Sequence, residues 1–264
     1  MKSPAAIASL LLLLLLLAPA GDPARQDRAS APAAPSVTHP FGTDDLGHDL
    51  WARFVHGGRW SMGTGAAAAT VAIALAWLIG SVAGWWGGWL DAWLMWTAEL
   101  FLALPWLYLL IALRAALPPS VAPREAAAVA ILLVALAGWA RPARLVRGIV
   151  LAERERGWVE AARGFGVPAW SIYRRHILPA TLGLLATQAV ILLPRFVLAE
   201  LTLTFAGAGA ADGLSWGELV VPLKQAYLLR EQWWLALPLL AMIPVFAGFA
   251  VLARTINRQP PPYR

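Results

Sequence analysis

The sequence predicts an all-α protein that crosses a membrane several times, and three observations carry that expectation. Of 264 residues, 59% are hydrophobic and only 14% are charged, with mean hydropathy +0.63; a soluble domain of this length carries more charge. The apolar residues fall into long runs of the length that a hydrocarbon core about 30 Å thick demands. Fifteen tryptophans are present, many at the ends of those runs, the depth that suits an apolar ring with a polar N–H. The net charge of +6 is almost all arginine; Lys2 and Lys224 are the only lysines. It is concentrated in one loop, the pattern of a cytoplasmic loop rather than of a nucleic-acid surface. The absence of cysteine removes disulfides, thiolate catalysis and zinc–thiolate sites together.

The elements follow in order. Residues 1–20 hold Lys2, a leucine-rich run and Ala18-Pro19-Ala20. They read either as a secretory signal peptide or as a short first span. Residues 21–38, rich in Ala, Pro, Asp and Arg, read as an extracytoplasmic linker, and 39–61 as an extracytoplasmic motif segment. Further spans are expected at about 62–84, 93–117 (with Pro105 inside), 124–146, 179–206 and 233–254. That makes six spans, or five if the N-terminal segment is cleaved. The turn GWWGGWLD closes at Asp91. The stretch Arg141 to Arg175 holds eight arginines, which places the segment 147–178 in the cytoplasm. Counting spans from there places GWWGGWLD and the tail 255–264 inside as well, and residues 207–232 outside.

Trp158 to Pro179 is the most informative stretch. Glu160-Ala161-Ala162-Arg163 favours helix, Gly166 can take the left-handed conformation that ends one, and Pro168 suits the first turn of the next. Ala161 and Ala162 leave room for another protein to approach. An amphipathic loop lying on the membrane fits the same residues. Gly80, Gly84 and Gly88 recur at four-residue spacing, a flat face for close packing against another span of this chain or against a second subunit. Glu99, Arg195 and Glu200 are ionisable residues inside spans, candidates for the solute pathway or for structural pairing. Arg114 lies near a span end and can snorkel. Arg195 and Glu200 are five apart, about 140° around a helix, so Arg195 needs a partner elsewhere: Glu99, or a residue of a second subunit.

These segments resemble those of a known family. Glu160-Ala161-Ala162, Gly166 and Ile177-Leu178-Pro179 are similar to the EAA loop of binding-protein-dependent ABC importer permeases. HPFGTDDLGHDLWARFVHGGRWS at 39–61, GWWGGWLDAWL at 84–94 and ARLVRGIVLAERERGWVEAARGFG at 143–166 narrow the resemblance. RRHILP at 174–179, LAELTLTFAGAG at 198–209 and SWGELV at 215–220 continue it. It points to the second permease type of the dipeptide, oligopeptide and nickel importers. The resemblance implies a helical permease fold in a bacterial inner membrane, with Glu160, Ala161, Ala162, Gly166 and Pro168 forming a coupling helix and turn against an ATPase. It implies a second permease subunit, two ATP-binding-cassette ATPase subunits, an extracytoplasmic solute-binding protein and membrane lipid as partners, with no cofactor and no nucleic acid. Acidic residues at Glu99 and Glu200 are familiar in the family; Arg195 is not.

No Gly-x-x-x-x-Gly-Lys-[Ser/Thr] loop occurs, so ATP hydrolysis is expected in another chain. Two enzyme-like signals remain. His39, Asp44, Asp45, His48 and Asp49 have metal-ligand chemistry, although the resemblance accounts for that segment without metal. Gly213-Leu214-Ser215-Trp216-Gly217 matches the nucleophile elbow Gly-x-Ser-x-Gly but lacks the strand and the base that motif needs. A membrane hydrolase using Ser215, or a degenerate permease acting as a scaffold, are the competing expectations.

Overall fold

The computed structural model describes residues 17–28, 31–116, 123–207 and 214–257. Nearly all of the N-terminal leucine run, Gly213 and the end of the tail lie outside the described residues, as does the side chain of Arg114. From Leu50 onwards the described chain is helical apart from short turns; the described residues before it, 18–28 and 31–49, are mostly irregular and carry two isolated β-bridges.

The longest element is α1, Leu50–Trp86. Asp49 caps it by accepting from the Trp51 amide at 2.9 Å, which satisfies one of the open N–H groups of a helix start. Its 37 residues reach about 55 Å, well beyond the hydrocarbon thickness. The second half of the segment 39–61 is the first three turns of α1. Gly87, at φ +66°, ends the helix where residues with a Cβ are disfavoured.

The chain turns at once into α2, Gly88–Ala103, and then α3, Trp106–Ala116. These two were expected as one span. They are bent by 73° at Leu104-Pro105, where the proline has no N–H to continue the ladder. α4, Pro123–Gly138, and α5, Ala140–Arg154, replace the expected span 124–146. They part at Trp139, and α5 carries helix on into what was expected as a charged loop. α6, Gly157–Gly164, and α7, Ala169–Ile172, follow. A π-helical turn, Tyr173–Ile177, joins α7 to a short α8, Leu178–Ala180.

α9, Leu182–Phe205, contains Pro194. Beyond 214 come the short α10, Trp216–Val220, α11, Ala226–Glu231, and α12, Leu237–Asn257. Among the described residues three helices are long and apolar enough to cross a membrane (Leu50–Trp86, Leu182–Phe205 and Trp233–Ile256), and the bent pair α2–α3 is a fourth by the same measure.

α1 runs through every part of the core. At one end Leu50, Phe54 and Met62 pack with Trp216, Trp234 and Met242. In its middle Ala68, Ala69 and Ala72 meet Leu192 and Phe196 of α9 and Val134 of α4. Towards its far end α5 lies against it in parallel. A Cβ on Gly80 would stand 2.3 Å from the Ala143 carbonyl oxygen, and one on Gly84 would stand 2.8 Å from the Val150 Cβ. Gly80 and Gly84 thus serve a contact within this chain. Gly88 does not share it: it lies past the break, at φ +61°, with nothing within 4 Å of its Cβ position.

A leucine at position 80 or 84 is expected to cost about 1–3 kcal/mol or more through overpacking. Gly63→Ala, where a Cβ meets nothing within 4 Å, is expected to leave stability unchanged. Thermal unfolding in detergent, followed by size exclusion, checks both.

Candidate functional site

The arginine-rich end of the bundle is built around α6. Val159 is buried with Ile172, Tyr173 and Ile177 against Val146 and Val150 of α5 and Leu185 of α9. The opposite face is open: Glu160 and Ala161 are exposed, as are Trp158, Phe165 and Trp170, with Phe165 at 89%. Ala162 differs from its neighbour, since it is half-buried and packs on that cluster. The exposed surface of α6 is Glu160, Ala161 and the aromatic rim, with Ala162 only partly exposed beside them.

The turn after α6 is closed by Gly166 N–H to the Arg163 carbonyl at 2.9 Å and Val167 N–H to the Ala162 carbonyl at 3.0 Å. Gly166 has φ +78°, the left-handed cap that its position suggests. Pro168 sits immediately before α7, at its N-cap.

Several contacts fasten this unit to α1 and α2. The Arg154 Nη1 donates to the Trp85 carbonyl at 3.0 Å. Trp85 also stacks on Tyr173, ring centroids 5.0 Å apart, and lies under Arg163 at 5.7 Å. Burial pushes the Tyr173 hydroxyl above its ordinary range. Arg147 holds both carboxylate oxygens of Asp91 through Nε and Nη2, a bidentate fork between α5 and α2.

At the other end, Glu200 is engaged inside the bundle. Ser61 donates to its Oε2 at 3.0 Å and Thr204 to its Oε1 at 3.2 Å, and Ser215 is a third hydroxyl partner. Ser61 in turn accepts from the Trp216 amide at 3.1 Å, while the Trp216 indole donates to the Phe54 carbonyl at 2.8 Å. This network joins α1, α9 and α10. Ser215 belongs to it as a buried hydroxyl beside a carboxylate. Among the described residues no histidine bonds to it.

The acidic and histidine residues of 39–49 are likewise tied down. Asp44 pairs with His48 at 2.9 Å and with Arg53 at 3.0 Å, and His39 faces Asp49 at 3.6 Å. The Gln232 amide donates to Asp45, and the Trp234 indole donates to the Thr43 carbonyl at 3.0 Å. Among the described residues no group of three metal-ligating side chains converges. Glu218, on α10, has its carboxyl raised by burial, with Arg53 and Lys224 pulling it back.

Glu99 and Arg195 are not brought together. Arg195 is exposed on α9, and Glu99 pairs instead with Arg144 of α5 at 3.3 Å. In the sequence alone Asp91, Arg144 and Arg147 count only as charges that set orientation. A signal for Arg144 is present nonetheless, since it falls inside the stretch expected to span at 124–146.

The profile of the family described as binding-protein-dependent transport system inner membrane component matches residues 76–259, from the glycine face of α1 through α12. The chain belongs to that family. It is 34% identical over 249 residues to the probable D,D-dipeptide transport system permease protein DdpC of Escherichia coli (strain K12), covering 93% of this chain and 81% of that one. It is 32% identical to the dipeptide transport system permease protein DppC of Bacillus subtilis (strain 168), covering 88% and 73%. With the oligopeptide transport system permease protein OppC of Mycobacterium bovis it shares 34%, over 79% and 73%.

For this family member the Glu200 network is expected to be structural. Glu200→Gln, which keeps acceptor capacity, should fold normally. Glu200→Leu strands the Ser61 and Ser215 hydroxyls and is expected to cost about 1–3 kcal/mol. Detergent melting temperatures of the two variants decide it. Ser215→Ala should leave solute uptake intact, and the wild-type protein should take no label from a serine-directed fluorophosphonate.

Proposed function

We propose that this chain is a permease subunit of an ATP-binding-cassette importer for peptides, supplying half of the translocation pathway. The match of residues 76–259 to the family carries this reading, and the permease relatives named for dipeptides and oligopeptides support the solute class. The membrane hydrolase and the scaffold readings have nothing on their side, and Ser215 has a structural task. The fuller arrangement belongs to the same proposal: six spans with residues 1–20 as the first, in a bacterial inner membrane, with 147–178 and the C-terminus in the cytoplasm. So do the partners: a second permease subunit, two ATPase subunits that hydrolyse the ATP, and an extracytoplasmic solute-binding protein.

The mechanism follows from how α6 is mounted. Import against a gradient requires that nucleotide state bias the pathway between inward- and outward-open forms. Glu160, Ala161, Phe165 and the Gly166 turn present a rigid, exposed ridge for an ATPase to hold. Behind it, Val159 and Ala162 are packed on α5, and α5 is packed on the glycines of α1. A push on α6 therefore moves helices rather than a loop.

Gly166→Val is expected to strain the turn by about 1–2 kcal/mol, and Ala161→Trp to obstruct the ridge. Both proteins should insert, yet uptake in reconstituted vesicles should fall at least about tenfold while ATP hydrolysis persists or the ATPase fails to co-purify. Normal uptake by both variants removes α6 as the coupling element. Reporter fusions after Arg156 and Arg264 are expected to read cytoplasmic, and an extracytoplasmic signal at either overturns the orientation.

A further inference from the structure

Two breaks in the bundle lie side by side. The first parts α2 from α3. Leu104 is extended there, at φ −70° and ψ 136°, as the residue before a proline tends to be, and the helices bend by 73°. Pro105 has no N–H to give the carbonyl four positions back, which is that of Phe101. The Trp106 indole takes its place, donating to the Phe101 carbonyl at 2.6 Å. Side chains that take up freed backbone groups in this way make a broken helix tolerable away from water. The second break parts α4 from α5 at Trp139. Pro142 stands four positions after Gly138 and leaves the Gly138 carbonyl without its helical donor in the same manner.

Proline alone does not make these breaks, since Pro194 and Pro244 lie inside unbroken helices. What sets the two breaks apart is that one side chain touches both. The Phe101 ring centroid lies 5.4 Å from that of Trp106 and 5.3 Å from that of Trp139. The core divides at the same place. On one side Ala98 of α2 and Ala140 and Ala143 of α5 pack with Trp139 and with Ala76 of α1, and Phe101 lies against them. On the other side Leu110 of α3 and Val134 and Ala135 of α4 pack with Leu192, Phe196 and Leu203 of α9. The end of α4 is seated tightly there, because a Cβ on Gly138 would stand 2.4 Å from Cζ of Phe196. α1 passes both groups as one helix, and its buried residues in them, Ala68, Ala69, Ala72 and Ala76, are all alanine. So small a side chain interlocks little with either group.

We infer that Leu104-Pro105 and Gly138-Trp139 are the two halves of one hinge, about which α3 and α4 turn, with α9, against α2 and α5 when the ATPase subunits change state. This rests on the reading of the chain as a permease half coupled through α6. A hinge needs only a few residues at the ends of elements to absorb the change in backbone angle, and each break provides them. Phe101 is the pivot between the breaks. Trp106 is a positioning residue, which holds the bend by occupying the Phe101 carbonyl. α5 runs unbroken from the second break to the mounting of α6, so a displacement of α6 arrives at the hinge through one helix.

The test uses the complete transporter reconstituted with its partner subunits. The chain has no cysteine of its own, so pairs of cysteines introduced into it can be spin-labelled before assembly. Trp89 on α2, Ala116 on α3 and Arg141 on α5 are exposed. The distance from Trp89→Cys to Ala116→Cys crosses the hinge, and that from Trp89→Cys to Arg141→Cys does not. Each is measured without nucleotide and after trapping with ATP and orthovanadate. The first is expected to change by about 5 Å, which a turn of about 20° produces at the far end of a helix of this length. The second should change by no more than about 2 Å. A first distance that changes no more than the second overturns the inference. Pro105→Ala gives the Phe101 carbonyl a backbone donor and lets the helix run straight. It is expected to keep or raise the melting temperature while dialanine uptake falls at least about tenfold. Trp106→Phe takes the donor from that carbonyl and should lower both. Combining the two substitutions should restore the melting temperature and not the uptake, a split that a merely structural bend would not show. Uptake at the wild-type level by Pro105→Ala overturns the hinge. Dialanine uptake by the wild type tests the permease reading separately: a wild type that hydrolyses ATP and imports no peptide overturns that reading, while the two distances still decide the hinge.

Discussion

The close parallel approach of α1 and α5 is the constraint on which the rest of the molecule depends. Apolar side chains gain little from one another when the alternative is lipid, so helices in a bilayer are held by van der Waals contact between backbones that can come near. Gly80 and Gly84 permit that approach, and the Ala143 carbonyl and Val150 fill the space. With α5 seated, its last turn lies level with the end of α1, where Arg154 takes the Trp85 carbonyl. Two residues later α6 begins. The orientation of α6 is thus inherited from the glycine face of α1, and no flexible linker separates the exposed ridge from the bundle.

The two ends of the bundle meet water in different ways. At the end near Asp49 the polar groups are drawn in and paired. Thr43, Ser61 and Ser215 are buried, each beside a partner, and the Glu200 carboxylate collects hydroxyl donors from three elements. Buried polar groups that are fully satisfied specify one arrangement, and here they fix the short helix α10 against α1 and α9. At the arginine-rich end the polar groups are turned outward and the fastening is aromatic and cationic, through Trp85, Tyr173 and Arg163. One end is closed by paired polar groups, and the other carries exposed charged and aromatic side chains.

Much of this was legible from residue order. Helix, turn, helix across 157–172 follows from Gly166 and the residues around it, because a left-handed glycine is a local requirement that the chain must meet wherever it folds. The apolar runs announced helices that cross a membrane. Their ends were harder to place. Arg53, His56 and Arg59 fall before the span expected at 62–84, yet they lie in the first turns of the same helix, α1. A helix that outruns the bilayer carries charges like any soluble helix, and its cap at Asp49 is a weak signal. The break at Trp139 and the bend at Leu104-Pro105 depend on what packs beside them, which no local pattern records. Arg144 was hidden for the opposite reason. Counted among eight arginines it looked like a topological marker, and its partner Glu99 lies 45 positions away, beyond the reach of any helical spacing.

The two ion pairs between α2 and α5 join the ends of the argument. Asp91–Arg147 lies near the mounting of α6 and is closed on itself, so its geometry resists change: displacing either group breaks two charge-assisted hydrogen bonds at once. Glu99–Arg144, further from α6, has one contact and is more exposed. The joint between α5 and α2 is stiff at Asp91–Arg147 and loose at Glu99–Arg144, where a single ionic contact holds. The end of α5 that leads into α6 is thus the better fastened one, by a bidentate pair to α2 and by Arg154 to the Trp85 carbonyl.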